Sequence, residues 1–302
     1  PGPGPGLGLG TATVGRGLNS GGHVRESTVR EVRRVGDVCD VGHVGVSISS
    51  AAGSGQEGRQ RYGSAVQRWG GDGPMRAPPS IRDPREGVTD DMDRERILRW
   101  TEAERLSLAD FLDGLAGPDW SEASLCAGWT VHDVAAHLTL STRTTLLGTI
   151  KGAIRARGDW NRMEFDFARE RAGRFGPAEL VAQIRETAGS PRRAPLAAPL
   201  DPLVDFLVHG QDIARPLGRD RPMPTEQAAA ALAHVVASPF YGARKRLRAV
   251  RLVATDATWT TGTGPDEVRG PLADLLLLAT GRPAGLTGVS GPGVEKLAAT
   301  LS

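Results

Sequence analysis

At 302 residues, 24% charged and 39% hydrophobic, the chain has room for about two domains, and a collagen, a coiled-coil rod or a wholly disordered chain is excluded. Its 37 basic and 35 acidic residues leave a net charge of +2, which gives no argument for nucleic acid or an anionic membrane as partner. Two cysteines, Cys39 and Cys126, make no disulfide framework, and no apolar run reaches about 18 residues, so the chain reads as cytoplasmic with no membrane span.

Residues 1–91 hold 20 of the 40 glycines, open on Pro-Gly repeats and keep no helical or strand period. Glycine and proline at that density make ordering costly for little apolar burial. The segment reads either as disordered or as translated upstream sequence from a misplaced start, because Met92 directly precedes the first regular stretch.

From Met92 the chain reads as mainly α. Ile97, Leu98, Leu108, Phe111, Leu112 and Leu115 place an apolar stripe on a helix over 94–115, which Gly117-Pro118 stops. Thr130 reads as an N-cap with Asp133 three residues on, a variant of the capping box. The helix it opens is expected to run to about Arg157. Further helices are predicted over 161–174, after Pro177, over 203–217 and over 225–237, with a loop at 191–199. Val250–Ala254 reads as a strand with 257–263 as its partner. A Leu-rich helix at 271–280, a strand at 285–290 and a helix at 294–301 complete the chain. The expected organisation is a helical bundle over 92–240 followed by a small α+β domain over 246–302.

Asp205 precedes His209 by one helical turn, so both share a helix face, and Asp212 flanks that face three residues further on. A helix offers two ligands to one metal in this way, and His137 from a facing apolar helix is a candidate third. Three N/O ligands with an open position describe a catalytic zinc site rather than a closed structural one. Asp212 then suits holding a ligand histidine or moving a proton. The competing reading makes both histidines satisfied core residues and Asp205 a favourable charge in the first turn of its helix. His132 lies about 140° round the helix from His137 and belongs elsewhere. His234 reads as a surface or interface residue. Cys126 reads as a buried small hydrophobe, with a thiol nucleophile as the alternative.

The stretch Trp120-Ser121-Glu122-Ala123-Ser124-Leu125-Cys126-Ala127-Gly128-Trp129-Thr130-Val131-His132-Asp133-Val134-Ala135-Ala136-His137-Leu138 resembles a motif of the mycothiol-dependent maleylpyruvate isomerase family. Leu207 to Arg219 resembles its second motif, and Val268 to Arg282 its C-terminal domain. The likeness covers about residues 93–300, in the same order. The resemblance implies a DinB-like four-helix bundle followed by a small α+β domain. It also implies a divalent metal, usually Zn2+, on His137, Asp205 and His209, where the family often has Glu in place of Asp205. Its cofactor is mycothiol, the thiol of actinobacteria, ionised at the metal so that the thiolate adds to a small electrophilic substrate. An isomerase then releases the thiol, and an S-transferase keeps the adduct. Asp212, from its place beside His209, is the catalytic candidate. Arg215 and Arg282 become candidates for binding a substrate carboxylate or the thiol's polar groups. The implied partners are a small electrophile and a low-molecular-weight thiol, in a monomer or small homo-oligomer. A DinB-like metal-binding protein without catalysis, serving a sensory or interaction role, is the alternative.

Overall fold

The structure, a computed structural model, describes residues 84–301, with side chains from residue 93 onward. The expectation for the glycine-rich front segment therefore lies outside the described residues up to position 83. Helix α1 spans Pro84–Asp113, so helix begins ahead of Met92.

Four helices close a ring. α1 packs on α5 (Pro177–Glu186) and α6 (Asp201–Ala214), and α2 (Val131–Leu138) packs on the same two. Their core holds Leu108 and Leu112 of α1, Val134 and Leu138 of α2, Leu180 and Ile184 of α5, and Phe206 and Ile213 of α6. This is the expected four-helix bundle. α2 starts where its cap predicts: Asp133 N–H donates to Thr130 Oγ1 at 3.2 Å, and Thr130 N–H donates to Asp133 Oδ2 at 2.9 Å.

The long helix expected from Thr130 to Arg157 is broken. It ends at Leu138, turns through a 3₁₀ segment at Thr139–Thr142, and restarts as α3 (Leu146–Arg155). The cause is a run of hydroxyls that compete for the backbone. Thr139, Ser141 and Thr144 donate to the carbonyls of Ala136, Leu138 and Leu140, and Thr145 Oγ1 accepts from Gly148 N–H to cap the new helix. Leu146 and Leu147, which lie within the span of the one long helix expected, are exposed in consequence. α4 (Trp160–Ala172) packs on α2, and α3 packs on α4.

The rest is built on α7 (Thr225–Ala237), a short α8 (Ala243–Arg246), a small sheet, α9 (Leu272–Ala279) and α10 (Val294–Ala298). β1 (Val250–Ala254) is central, with β2 (Thr260–Thr261) antiparallel on one side and β3 (Asp266–Gly270) parallel on the other. The register pairs Leu252 with Thr261 and with Val268. β3 was not expected, because only Val268 and Gly270 of Asp-Glu-Val-Arg-Gly are buried. The strand expected over 285–290 is instead a 3₁₀ turn at Pro283–Gly288, and only Ser290 bridges, to Arg269.

α6 is the wall between two cores. Its Leu203, Val204, Leu207 and Val208 belong to a cluster with α7, α9 and the sheet, whereas Phe206 and Ile213 belong to the bundle. All of its residues are buried, as a helix apolar around most of its surface requires.

Candidate metal centre

α6 brings Asp205, His209 and Asp212 into the bundle, and the last turn of α2 brings His137 against them. His137 Nε2 lies 3.6 Å and His209 Nε2 lies 3.4 Å from Asp205 Oδ1, and the three donor atoms fall within 4.8 Å of one another. In a tetrahedral site with bonds of about 2.0–2.1 Å, donors stand about 3.3–3.4 Å apart. His209 Nε2 is buried without a hydrogen-bond partner among the described residues, aimed at the point where the set converges. A buried ring nitrogen left so is costly unless something else binds it. The donor set therefore fits a small divalent cation.

The surroundings fix each donor. Asp212, fully buried, accepts from His209 Nδ1 at 2.8 Å, which leaves Nε2 turned to the site. Arg282 places Nη2 3.1 Å from Asp212 Oδ2 and Nε 3.4 Å from Oδ1, and also donates to Thr280 O. The turn at Gly281 (φ 86) aims Arg282 back at α6 and is of the Schellman kind, with Arg282 N–H on Leu277 O. Burial alone would raise the Asp212 carboxyl, but Arg282 and His209 together hold it well below the ordinary carboxylate range. Trp129 packs against both histidine rings, 5.1 Å from His137 and 6.3 Å from His209 between centroids.

The two imidazoles are held as cations by their neighbours in the metal-free site. Burial pushes His137 down, but Asp205 and Glu164 outweigh it and lift the ring to about 10. Burial likewise opposes the charge on His209, which Cys126, Asp212 and Asp205 raise to about 9. Arg105 of α1 is buried and caps the end of α5 through the carbonyls of Thr187, Ala188 and Ser190. Burial brings it down to about 10, against the pull of Asp205.

Several sequence expectations take a different form here. Cys126 is buried as expected, yet it is no mere apolar filler: its Sγ donates to Asp212 Oδ2 at 3.2 Å and sits 3.7 Å from His209 Nδ1. Glu164, on α4, was not singled out in the sequence, and it stands 3.3 Å from His137 Nδ1. Its position on α4, a helix remote in sequence from both motifs, left no local signal. His137, Asp205, Glu164, Trp160 and Thr144 line a cleft of about 350 Å³, its open mouth included. Neither Arg215 nor Arg282 lines it. Arg215 is spent on Asp274, Gln211 and Ala284 O, tying the end of α6 to the segment around α9. Asp133 keeps its cap and His132 bonds Phe175 O, both apart from the donor set. His234 is partly buried on Asp201, beside Tyr241.

A helical bundle whose His/Asp/His donor set borders a cleft through His137 and Asp205 carries a candidate metal site. Residues 100–219, which contain all three donors, match the family described as the mycothiol maleylpyruvate isomerase N-terminal domain. Two solved structures are similar to it, a mycothiol-dependent maleylpyruvate isomerase and a mutant of that enzyme. The first is 15% identical with a TM-score of 0.42, and the mutant 13% with 0.47. Each comparison covers 66% of this chain and 92% of the other. No curated protein matches the chain. Among the described residues, no helix is long and apolar enough to cross a membrane.

Proposed function

We propose that the chain is a metal- and mycothiol-dependent enzyme, an isomerase or S-transferase acting on a small electrophile. The observation that carries this reading is the convergence of His137 Nε2, Asp205 Oδ1 and His209 Nε2, the two ring nitrogens 3.6 and 3.4 Å from Asp205 Oδ1, beside a cleft that His137 and Asp205 line. The N, N, O set suits zinc and leaves a position open. A cation held there supplies the positive charge that ionises a thiol beside it.

The chain's own residues prepare that event. Asp212 accepts a hydrogen bond from His209 Nδ1–H and so orients its ring, and Arg282 keeps Asp212 ionised. Both are positioning residues, since neither lines the cleft. Glu164 plays the corresponding part for His137 Nδ1 from the cleft wall. In the isomerase reading, a thiol bound beside the site would supply a sulfur nucleophile that adds reversibly to one carbon of a cis double bond, the π pair moving to its neighbour. Rotation and loss of the same thiolate would then give the trans product. In the transferase reading, the neighbouring carbon would take a proton and the adduct would stay.

The test is metal content per chain in protein purified without chelator, alongside His209→Ala, followed by mycothiol added to the cobalt-substituted protein. About one metal per chain, lost in the variant, with a sulfur-to-cobalt charge-transfer band on adding thiol, is the expected result. No metal in either protein after zinc is offered would overturn the reading and leave a bundle protein without this chemistry.

A further inference from the structure

Beside the cleft at His137 and Asp205 lies a second and larger one, of about 740 Å³ with its open mouth included, between α3 and α4. Arg143, Lys151, Arg155, Arg171 and Arg174 line it. Two carboxylates answer them. Glu186 pairs with Arg143 at 2.7 Å, and Glu170 stands 3.6 Å from Arg155. Five cations against two carboxylates leave a surplus of three positive charges. Arg171 spends its donors on neutral groups, Thr139 Oγ1 and Gln183 Oε1, and lies over the Phe175 ring. Among the described residues, no carboxylate pairs with Lys151, Arg171 or Arg174. Burial lowers the Arg171 guanidinium from its ordinary value, and the like charges of Arg143 and Arg174 lower it further.

A cluster of like charges in a concave site is unfavourable until an anion enters it, and the low-dielectric walls focus the field on that anion. The first turn of α3, at Thr145 and Gly148, lines the same cleft and adds the partial positive charge of a helix N-terminus. Guanidinium groups match the planar, multi-oxygen geometry of carboxylates and phosphates. Leu140 and Thr144 line both this cleft and the one at His137 and Asp205. A molecule seated among the arginines thus reaches toward the metal centre with its other end.

We propose that the α3–α4 cleft is the substrate-selecting site, taking the multiply anionic end of an electrophile that carries a phosphate or several carboxylates. This rests on the functional reading above. Its test is anion binding, which stands whether or not thiol chemistry is found. The full chain is titrated by calorimetry with inorganic phosphate and with propane-1,2,3-tricarboxylate, in zinc-loaded and chelator-treated form, at low and high salt. Saturable binding of either probe in both forms, weakened by salt, is the expected result. Phosphate alone identifies a phosphorylated substrate, and the tricarboxylate alone a polycarboxylate. Arg171→Gln with Arg174→Gln should weaken binding tenfold or more. The exposed Lys151→Gln, which leaves the fold untouched, should weaken it roughly two- to fivefold. Binding of neither probe, binding only in the zinc-loaded form, or binding unchanged by Lys151→Gln and the arginine pair would overturn the proposal.

Discussion

The candidate metal centre and the cationic cleft meet at Leu140 and Thr144 but are built on opposite terms. At the centre, charge is matched and packing fixes every donor. α6 is buried along its whole length, Asp212 is answered by Arg282, and Asp205 lies between two imidazoles. At the cleft, charge is left over and the framework is light. α3 packs on α4, and its outer face shows Leu146, Leu147, Ile150 and Ile154 to solvent. A reactive centre needs its ligands held within a fraction of an ångström, which burial supplies. A substrate-selecting surface needs unspent charge, which an exposed helix carries at little cost. Under the two proposals above, the difference gives chemistry to one region and choice of substrate to the other.

The largest effect that tests this division is at the centre. His209→Ala removes one donor and the partner of Asp212, so metal content should fall from about one per chain to near zero, with anion binding in the α3 cleft kept. Arg282→Met should follow in size. It strands a fully buried carboxylate, and breaking such a pair costs about 3–5 kcal/mol, read as a loss of unfolding free energy in denaturant. An Arg282 variant of unchanged stability would show that Asp212 is compensated from elsewhere.

The pH dependence of metal uptake separates the regions next. In the metal-free protein the raised values of His137, about 10, and His209, about 9, keep both rings protonated at neutral pH. Ligation requires neutral imidazoles, so binding expels about two protons and affinity should rise roughly a hundredfold per pH unit between pH 6.5 and 9. The stability of the metal-free protein runs the other way. A histidine raised on folding contributes fully below its unfolded value of about 6.5 and loses that contribution as pH rises through its folded value. Unfolding of the metal-free chain should therefore become easier between about pH 6.5 and 10. Proton release of one or fewer, from calorimetry in buffers of different ionisation enthalpy, would contradict the charge state assigned to the pair.

What the sequence made legible follows the same division. The elements that build the centre announce themselves: the Thr130 cap, the one-turn spacing of Asp205 and His209, and the apolar helix carrying His137. Each is a local pattern whose partners lie within a turn or two. The cleft depends on how α3 meets α4, and α3 exists as a separate helix only because the hydroxyls of Thr139, Ser141 and Thr144 break the helix before it. A hydrophobic period carries no trace of that competition. Glu164 and the Asp212–Arg282 pair were hidden for a related reason, since they are contacts between elements far apart in the chain.

Glu164→Gln probes the border between the regions. It keeps the size of the side chain but removes the charge 3.3 Å from His137 Nδ1, so metal affinity should drop about tenfold, the lower end for a group that orients a ligand. Competition with a chelator of known affinity measures it. An unchanged affinity would make Glu164 a part of the cleft alone.

The smallest effect is the most discriminating. Gly152 lets α3 approach α4, because a Cβ there would lie 2.2 Å from Phe167 Cζ and 2.9 Å from Met163 Cγ. In Gly152→Ala the helix gains about 1 kcal/mol of intrinsic propensity, while α3 must lift off Phe167, a residue lining the cationic cleft. The two terms oppose, so global stability should move by less than about 1 kcal/mol. Anion binding should nevertheless weaken severalfold, because Lys151 and Arg155 ride on α3 and Arg171 on α4. Metal content should not change, since no donor sits on α3. If metal is lost together with the anion, then α3 braces the centre as well as the cleft, and the two regions are one mechanical unit.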